Sequence, residues 1–195
     1  ANKLREAQRA EKACEDKLTA LIEEISERQK SGDLPSAAQA VEPPEGESTP
    51  DRPDVSDIEI ALSTDGIGVR TVAGLFAEGF EALASLDREK LRRQSIAPAT
   101  KQTGRQSKGS SGPDPLVHQR RARNRYLTDT MHQIGDCLQR QNGHYREKYV
   151  GMRDHKNHTH GRACRQLADQ FLRVLFAMLR DRTLYDGDLH GATRR

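Results

Sequence analysis

Arg162-Ala163-Cys164-Arg165-Gln166-Leu167-Ala168-Asp169-Gln170-Phe171-Leu172-Arg173-Val174-Leu175-Phe176-Ala177-Met178-Leu179-Arg180-Asp181-Arg182 decides the fold class. Ala163, Leu167, Phe171, Val174, Leu175, Met178 and Leu179 recur every three or four residues, which is the period of one helix face. The spacing predicts a helix over about 162–182. Its densest apolar run, Val174 to Leu179, is far shorter than the roughly 20 residues a membrane span needs. A second helix is expected over about 118–140, where Leu127, Met131, Ile134 and Leu138 fall at spacings of 4, 3 and 4. Between the two lies a short helix over His144–Arg153 and a His-rich turn. A further short helix is expected at Asp87–Gln94, with Asp87 near its N-terminus. No alternating β-branched run marks a substantial sheet. The fold class is therefore mainly α.

Residues 4–29 carry a different helical pattern. Leu4, Ala7, Glu11, Cys14, Leu18, Leu21, Ile25 and Arg28 follow an alternating 3,4 spacing, a heptad seam interrupted by charge. Two readings are open: a helix packed on its own domain, or a coiled-coil arm over 1–30 that joins copies into a homo-oligomer. Ser31-Gly32 and Pro35 stop that helix. Residues 31–54 hold five of the eight prolines. Residues 31–55 are thus expected to be a Pro-rich linker, 56–187 a helical domain, and 188–195 a tail. The chain begins at Ala1 and enters the helical pattern at once, which reads as a cut end.

Composition narrows the function. The 195 residues carry a net charge of only +3, but the charge is uneven. Residues 1–60 hold 8 basic and 15 acidic side chains, against 24 and 14 in residues 61–195. The later part is a basic module, the footprint expected of a polyanion binder. The first 25 residues are charged throughout, so no signal peptide is expected in them. Three widely spaced cysteines, Cys14, Cys137 and Cys164, argue against a disulfide scaffold. They favour a reducing compartment, and a cytoplasmic location is expected.

Four constellations could carry chemistry. Gly66-Ile67-Gly68 sits between two helical segments, as in helix-hairpin-helix turns, where glycines let backbone approach a phosphate. Arg70 and Thr71 follow in the first turn and are candidate phosphate contacts. Gly74 is too far along for a dinucleotide-binding signature. Arg120, Arg121, Arg123 and Arg125, with Asn124, are expected at the start of the 118–140 helix. Cations there oppose the helix dipole, which hints at an anionic partner. Residues 99–115 form a polar loop with Lys101, Thr103, Arg105 and Ser111, whose hydroxyls could serve phosphoryl transfer. His155, His158, His160 and Cys164 match no standard structural-zinc spacing, and are read as a loop capping the last helix. No metal ligand is expected.

Taken in order, these segments resemble the insertion-sequence transposases of the IS-one-ten and IS-one-sixteen type, the bridge-RNA-guided serine recombinases. Leu62–Ala73 is similar to the family's "hPGhGxxTA" entry and Ser95–Gly104 to its "GhAPxTxxSG" loop. Arg120–Leu127 resembles "RRAxNxxL", and His158–Arg165 with Ala177–Asp186 resembles the closing helix and its "AMLRDGTLxD" end. The likeness covers about residues 58–187. It implies cutting and rejoining of DNA, with a serine of the "SG" loop attacking a phosphodiester. It also implies a structured guide RNA, and Mg held by acidic residues of a separate RuvC-type N-terminal domain. No cofactor is expected on the residues quoted, which are expected to be inactive alone.

The departures bear on the site. Asp65 stands for the family's Pro, and Ser95 for its Gly. Counting on from Pro98 places Thr103 at the nucleophile position, whereas counting back from Arg120 places Ser111 there. Both remain candidates, with Ser111 first. The competing readings are an inactive nucleic-acid-binding remnant and a coiled-coil interaction protein.

Overall fold

A computed structural model describes residues 2–40, 55–96 and 122–189. Every regular element among them is helical, in keeping with the mainly α reading. In chain order they are α1 (Asn2–Lys30), a 3-10 turn (Ala37–Ala40), α2 (Asp57–Leu62), α3 (Val69–Ala84), α4 (Arg88–Ser95), α5 (Arg125–Gln141), α6 (Gly143–Asp154) and α7 (His160–Asp181).

The core is built on α5 against α7. On α5, Leu127, Met131, Ile134 and Leu138 are all fully buried. On α7 the expected stripe is buried except Val174, which is only partly covered. Ala168, Leu172 and Phe176 are buried as well. The arc is wider than one stripe because α7 has neighbours on several sides: α5, α6, α4 and α2 all pack on it. Each large apolar side chain so buried contributes about 1.5–3 kcal/mol. The two helices touch backbone to backbone at Gly135, where a Cβ would stand 2.2 Å from the Cys164 carbonyl oxygen. Only glycine fits that crossing.

Caps fix the element boundaries. Ser56 accepts from the Glu59 amide, and the Glu59 side chain accepts from the Ser56 amide, a reciprocal capping box. Asp87 caps α4 as expected, accepting from Lys90 N at 2.9 Å. Asn142 caps α6, accepting from the Tyr145 amide. The helix expected from 118 starts only at Arg125, because Asn124 is its N-cap and accepts from Leu127 N at 3.1 Å. The Asn124 amide in turn donates to Gln94 O at 2.9 Å, tying this start to the end of α4.

The N-terminal helix docks by its last two turns, and not along the heptad seam. Leu4 and Leu21 are 65% and 54% exposed, and Cys14 is exposed. The docked face is Ile22, Ser26 and Gln29, with Ile25 partly covered. It lies about one residue out of register with the seam, because polar bonds help to set it: Ser26 and Ser56 hydroxyls meet at 2.6 Å, and Gln29 Nε2 donates to Asp57 at 3.3 Å. Residues 31–40, expected to open a linker, belong to the fold instead. Ser36 and Ala37 are buried, and the Ala37 amide donates to Asp57 Oδ2 at 2.8 Å.

Asp57 is the hub of this edge. It is 1% exposed and pairs with Arg182, itself 6% exposed. Arg182 closes α7 in a left-handed conformation, φ +54°, and its guanidinium also donates to the Val55 carbonyl. A buried carboxylate with one charged and two neutral donors satisfies the rule that interior charge be paired and hydrogen-bonded.

Candidate functional site

The turn between α2 and α3 is built as the glycine pattern predicts. Gly66 takes φ +91°, open to glycine without strain, and packs against α5 with Cys137 O 3.3 Å from where a Cβ would stand. Ile67 plugs into the core at 7% exposure. Gly68 is the N-cap of α3 and has open space around it. Thr71, expected to touch phosphate, is 7% exposed. Its hydroxyl donates to Gly68 O at 2.7 Å and accepts from Gly68 N at 3.2 Å, so it braces the turn from inside. Arg70 does reach the surface, but its guanidinium lies on α1, 2.8 Å from Glu15 and 3.2 Å from Glu11. With Asp65 also exposed, the surface of this turn carries both signs of charge.

The arginine run is only partly on a helix. Arg125 is exposed in the first turn of α5, and Arg123 is half-buried before it. Asn124 is not free for a phosphate: besides capping α5, its Nδ2 donates to Glu78. Among the described residues, Arg125 alone of this run therefore stands inside the first turn, where a cation opposes the helix dipole. Arg120 and Arg121 lie outside the described residues, as do Lys101, Thr103, Arg105 and Ser111.

The last constellation divides. His155 closes α6, accompanied by Asn157 at φ +48°, and Thr159 precedes α7, so the segment does form the turn into the last helix. His160 and Cys164, however, meet a residue that the chain spacing did not suggest. Asp136 of α5, His160 and Cys164 bring donor atoms within 4.8 Å of one another. Cys164 Sγ is 3.6 Å from His160 Nε2, and that nitrogen is 3.7 Å from Asp136 Oδ1. The Tyr149 hydroxyl sits 2.9 Å from His160 Nδ1. The His132 ring stands edge-on to that of His160, centroids 5.8 Å apart. Burial, and behind it the Asp136 carboxylate, push the Cys164 thiol up to about 11. It is therefore a protonated thiol at neutral pH and a poor nucleophile when left to itself.

Two features escaped the sequence reading. One is the Asp57–Arg182 pair, joining residues far apart in the chain with no local signal. The other is Asp136, one turn after His132 on a helix read only for its apolar face. A signal was present for the start of α2: Ser56-x-x-Glu59 has the spacing of a capping box. Among the described residues, Asp136, His160 and Cys164 are the one group of three such donors. A buried thiol and an imidazole do not suit Mg, which takes oxygen ligands in octahedral geometry. No family model, curated protein or solved structure matches the chain. Among the described residues, no helix is long and apolar enough to cross a membrane.

Proposed function

We propose that this chain is the C-terminal part of a DNA transposase of the bridge-RNA-guided type. In this reading it acts in the cytoplasm, holds DNA and a structured guide RNA, and presents a hydroxyl from Ser111 or Thr103 for strand cleavage and rejoining. The observation that carries the reading is the order of four motifs along residues 58–187, within a segment that is strongly basic. Two backbone facts support it. The first glycine of the "PGhG" pattern is Gly66 here, at φ +91°. The glycine of the "AMLRDGT" pattern is replaced by Arg182, which still holds a left-handed φ of +54°. Both positions have the conformation that favours glycine, as the motifs require.

The residues divide by role. Gly66, Gly68 and Thr71 shape the α2–α3 turn. Arg70, Arg123 and Arg125, with Lys101, Arg105, Arg120 and Arg121, are the cations assigned to phosphates. Exposed Leu4, Cys14 and Leu21 on α1 suit the second element of the reading, association of copies through that helix.

Fluorescence anisotropy of the chain with a labelled duplex and a structured RNA tests the binding half. Log K should fall linearly with log salt, by a slope of about −0.9 for each duplex phosphate neutralised. Binding that is flat with salt, or absent, would sink it. The nucleophile is tested in the intact transposase by trapping a covalent protein–DNA adduct. Ser111→Ala should abolish the adduct, or Thr103→Ala if that hydroxyl is the one used. Adduct formation unchanged in both refutes the assignment.

A further inference from the structure

The geometry points to a divalent transition-metal site of the zinc class, held by Asp136, His160 and Cys164, that staples α5 to α7. A tetrahedral ion with bonds of about 2.3 Å to sulfur and about 2.0–2.2 Å to nitrogen and oxygen sets its donors roughly 3.4–3.6 Å apart. The two edges measured from His160 Nε2 are 3.6 Å to Cys164 Sγ and 3.7 Å to Asp136 Oδ1. Both distances are close to the separation a shared ion imposes; Sγ is also 3.7 Å from Nδ1, so the half-exposed His160 ring must turn to aim Nε2 at the ion.

The surrounding residues orient these donors. Tyr149 hydroxyl engages the other ring nitrogen, Nδ1, at 2.9 Å, which leaves Nε2 as the ring nitrogen for the ion. Arg140 holds Asp136 Oδ2 at 2.6 Å, while Oδ1, which also accepts from Gln139 at 3.1 Å, faces His160. His160 and Cys164 are one turn apart on α7, and His132 and Asp136 are one turn apart on α5, so each helix offers a pair on one face. The contact of Gly135 with the Cys164 backbone lies inside this square and fixes the helix crossing. His132 stands edge-on to His160 but outside the group of mutually close donors. Sulfur, imidazole and carboxylate together select a borderline-soft ion such as Zn²⁺ over Mg²⁺ or Ca²⁺. The chain spacing alone hid the set, because its donors come from two helices.

The full chain titrated with Co²⁺ tests the site. The expected result is a near-ultraviolet thiolate-to-cobalt band with the visible d–d bands of a tetrahedral ion, all erased by added Zn²⁺. Cys164→Ser should remove the charge-transfer band, and Cys137→Ser should keep it. His160→Ala, at a half-exposed side chain, should weaken Co²⁺ binding at least tenfold with the helical signal unchanged. If Cys164→Ser does not fold, His160→Ala decides. Absence of the bands at saturating Co²⁺, a charge-transfer band surviving in folded Cys164→Ser, or unchanged affinity in His160→Ala would each overturn the site.

Discussion

The α5–α7 pair and the helix α1 use apolar residues in opposite ways. On α5 every residue of the predicted stripe is fully buried, and α7 buries more than its stripe. On α1 the predicted seam leaves Leu4 and Leu21 largely in solvent, while a neighbouring face docks through serine and glutamine. Helical spacing says where apolar residues line up. Whether that line meets the rest of the same chain depends on how much apolar area it offers. The α5 and α7 stripes carry Leu, Ile, Met and Phe. The α1 seam includes Ala7, Glu11, Cys14 and Arg28, which offer little burial to offset ordering.

The two regions are tied together at Asp57, so the hardest test of their difference is to cut that tie. Arg182→Ala leaves a buried carboxylate without its cation, at an expected cost of about 3–5 kcal/mol. Urea denaturation gives the loss, and amide exchange gives its location. Protection should fall first at Ala37, whose amide depends on Asp57. A change under about 1 kcal/mol would mean that solvent replaces the guanidinium easily, and that this edge is less closed than its burial implies.

Alkaline pH should act first on the core side. Tyr145 is fully buried on α6, and burial first, then neighbouring Tyr185, raise its phenol above the usual value. Cys164 is raised in the same sense, to about 11. A group whose folded pKa is raised keeps its full contribution below the unfolded pKa. That contribution is lost as pH climbs toward the folded value. For tyrosine the loss therefore starts near pH of about 10. Urea midpoints should drop from pH of about 8.5 to about 11, through Cys164 first and above about 10 through Tyr145 as well, and Tyr145→Phe should flatten only the part above about 10. An equally steep fall above pH of about 10 in Tyr145→Phe would place that sensitivity elsewhere in the molecule.

The sequence was most legible where one element carries its own evidence. The stripes of α5 and α7, the cap at Asp87 and the turn at Gly66 all rest on neighbouring residues. The start of α5 is not legible, because Arg120, Arg121 and Arg123 before Asn124 look as helical in sequence as Arg125 after it, and only the cap distinguishes them. Residues 31–40 look like linker by composition, yet one buried carboxylate holds them through the Ala37 amide. At the site, Gly66 and Gly68 were legible as a turn. The roles of Thr71 and Asn124 were not, because hydroxyls and amides serve backbone or phosphate equally well. Asp136 with His160 and Cys164 is a tertiary grouping, invisible to any spacing rule within one segment.

The smallest expected effect falls on α1, and it joins the comparison to the proposed function. Arg70, a cation assigned to phosphate, is paired with Glu11 and Glu15 of α1. All three side chains are more than half exposed, so the pairs contribute little to stability. They do occupy a cation that a phosphate would need, and α1 is the acidic part of the chain. Glu11→Gln with Glu15→Gln should therefore leave the urea midpoint nearly unchanged while tightening duplex binding a few-fold at low salt. The gain should shrink as salt screens the acids. Arg70→Ala should weaken binding, lower the salt slope by about 1, and make the two glutamine changes silent. If the glutamines alter affinity equally with and without Arg70, the acids act by general repulsion and not by holding that residue. If neither change alters affinity, the α2–α3 turn is a structural joint, and the nucleic-acid surface must lie toward Arg123 and Arg125.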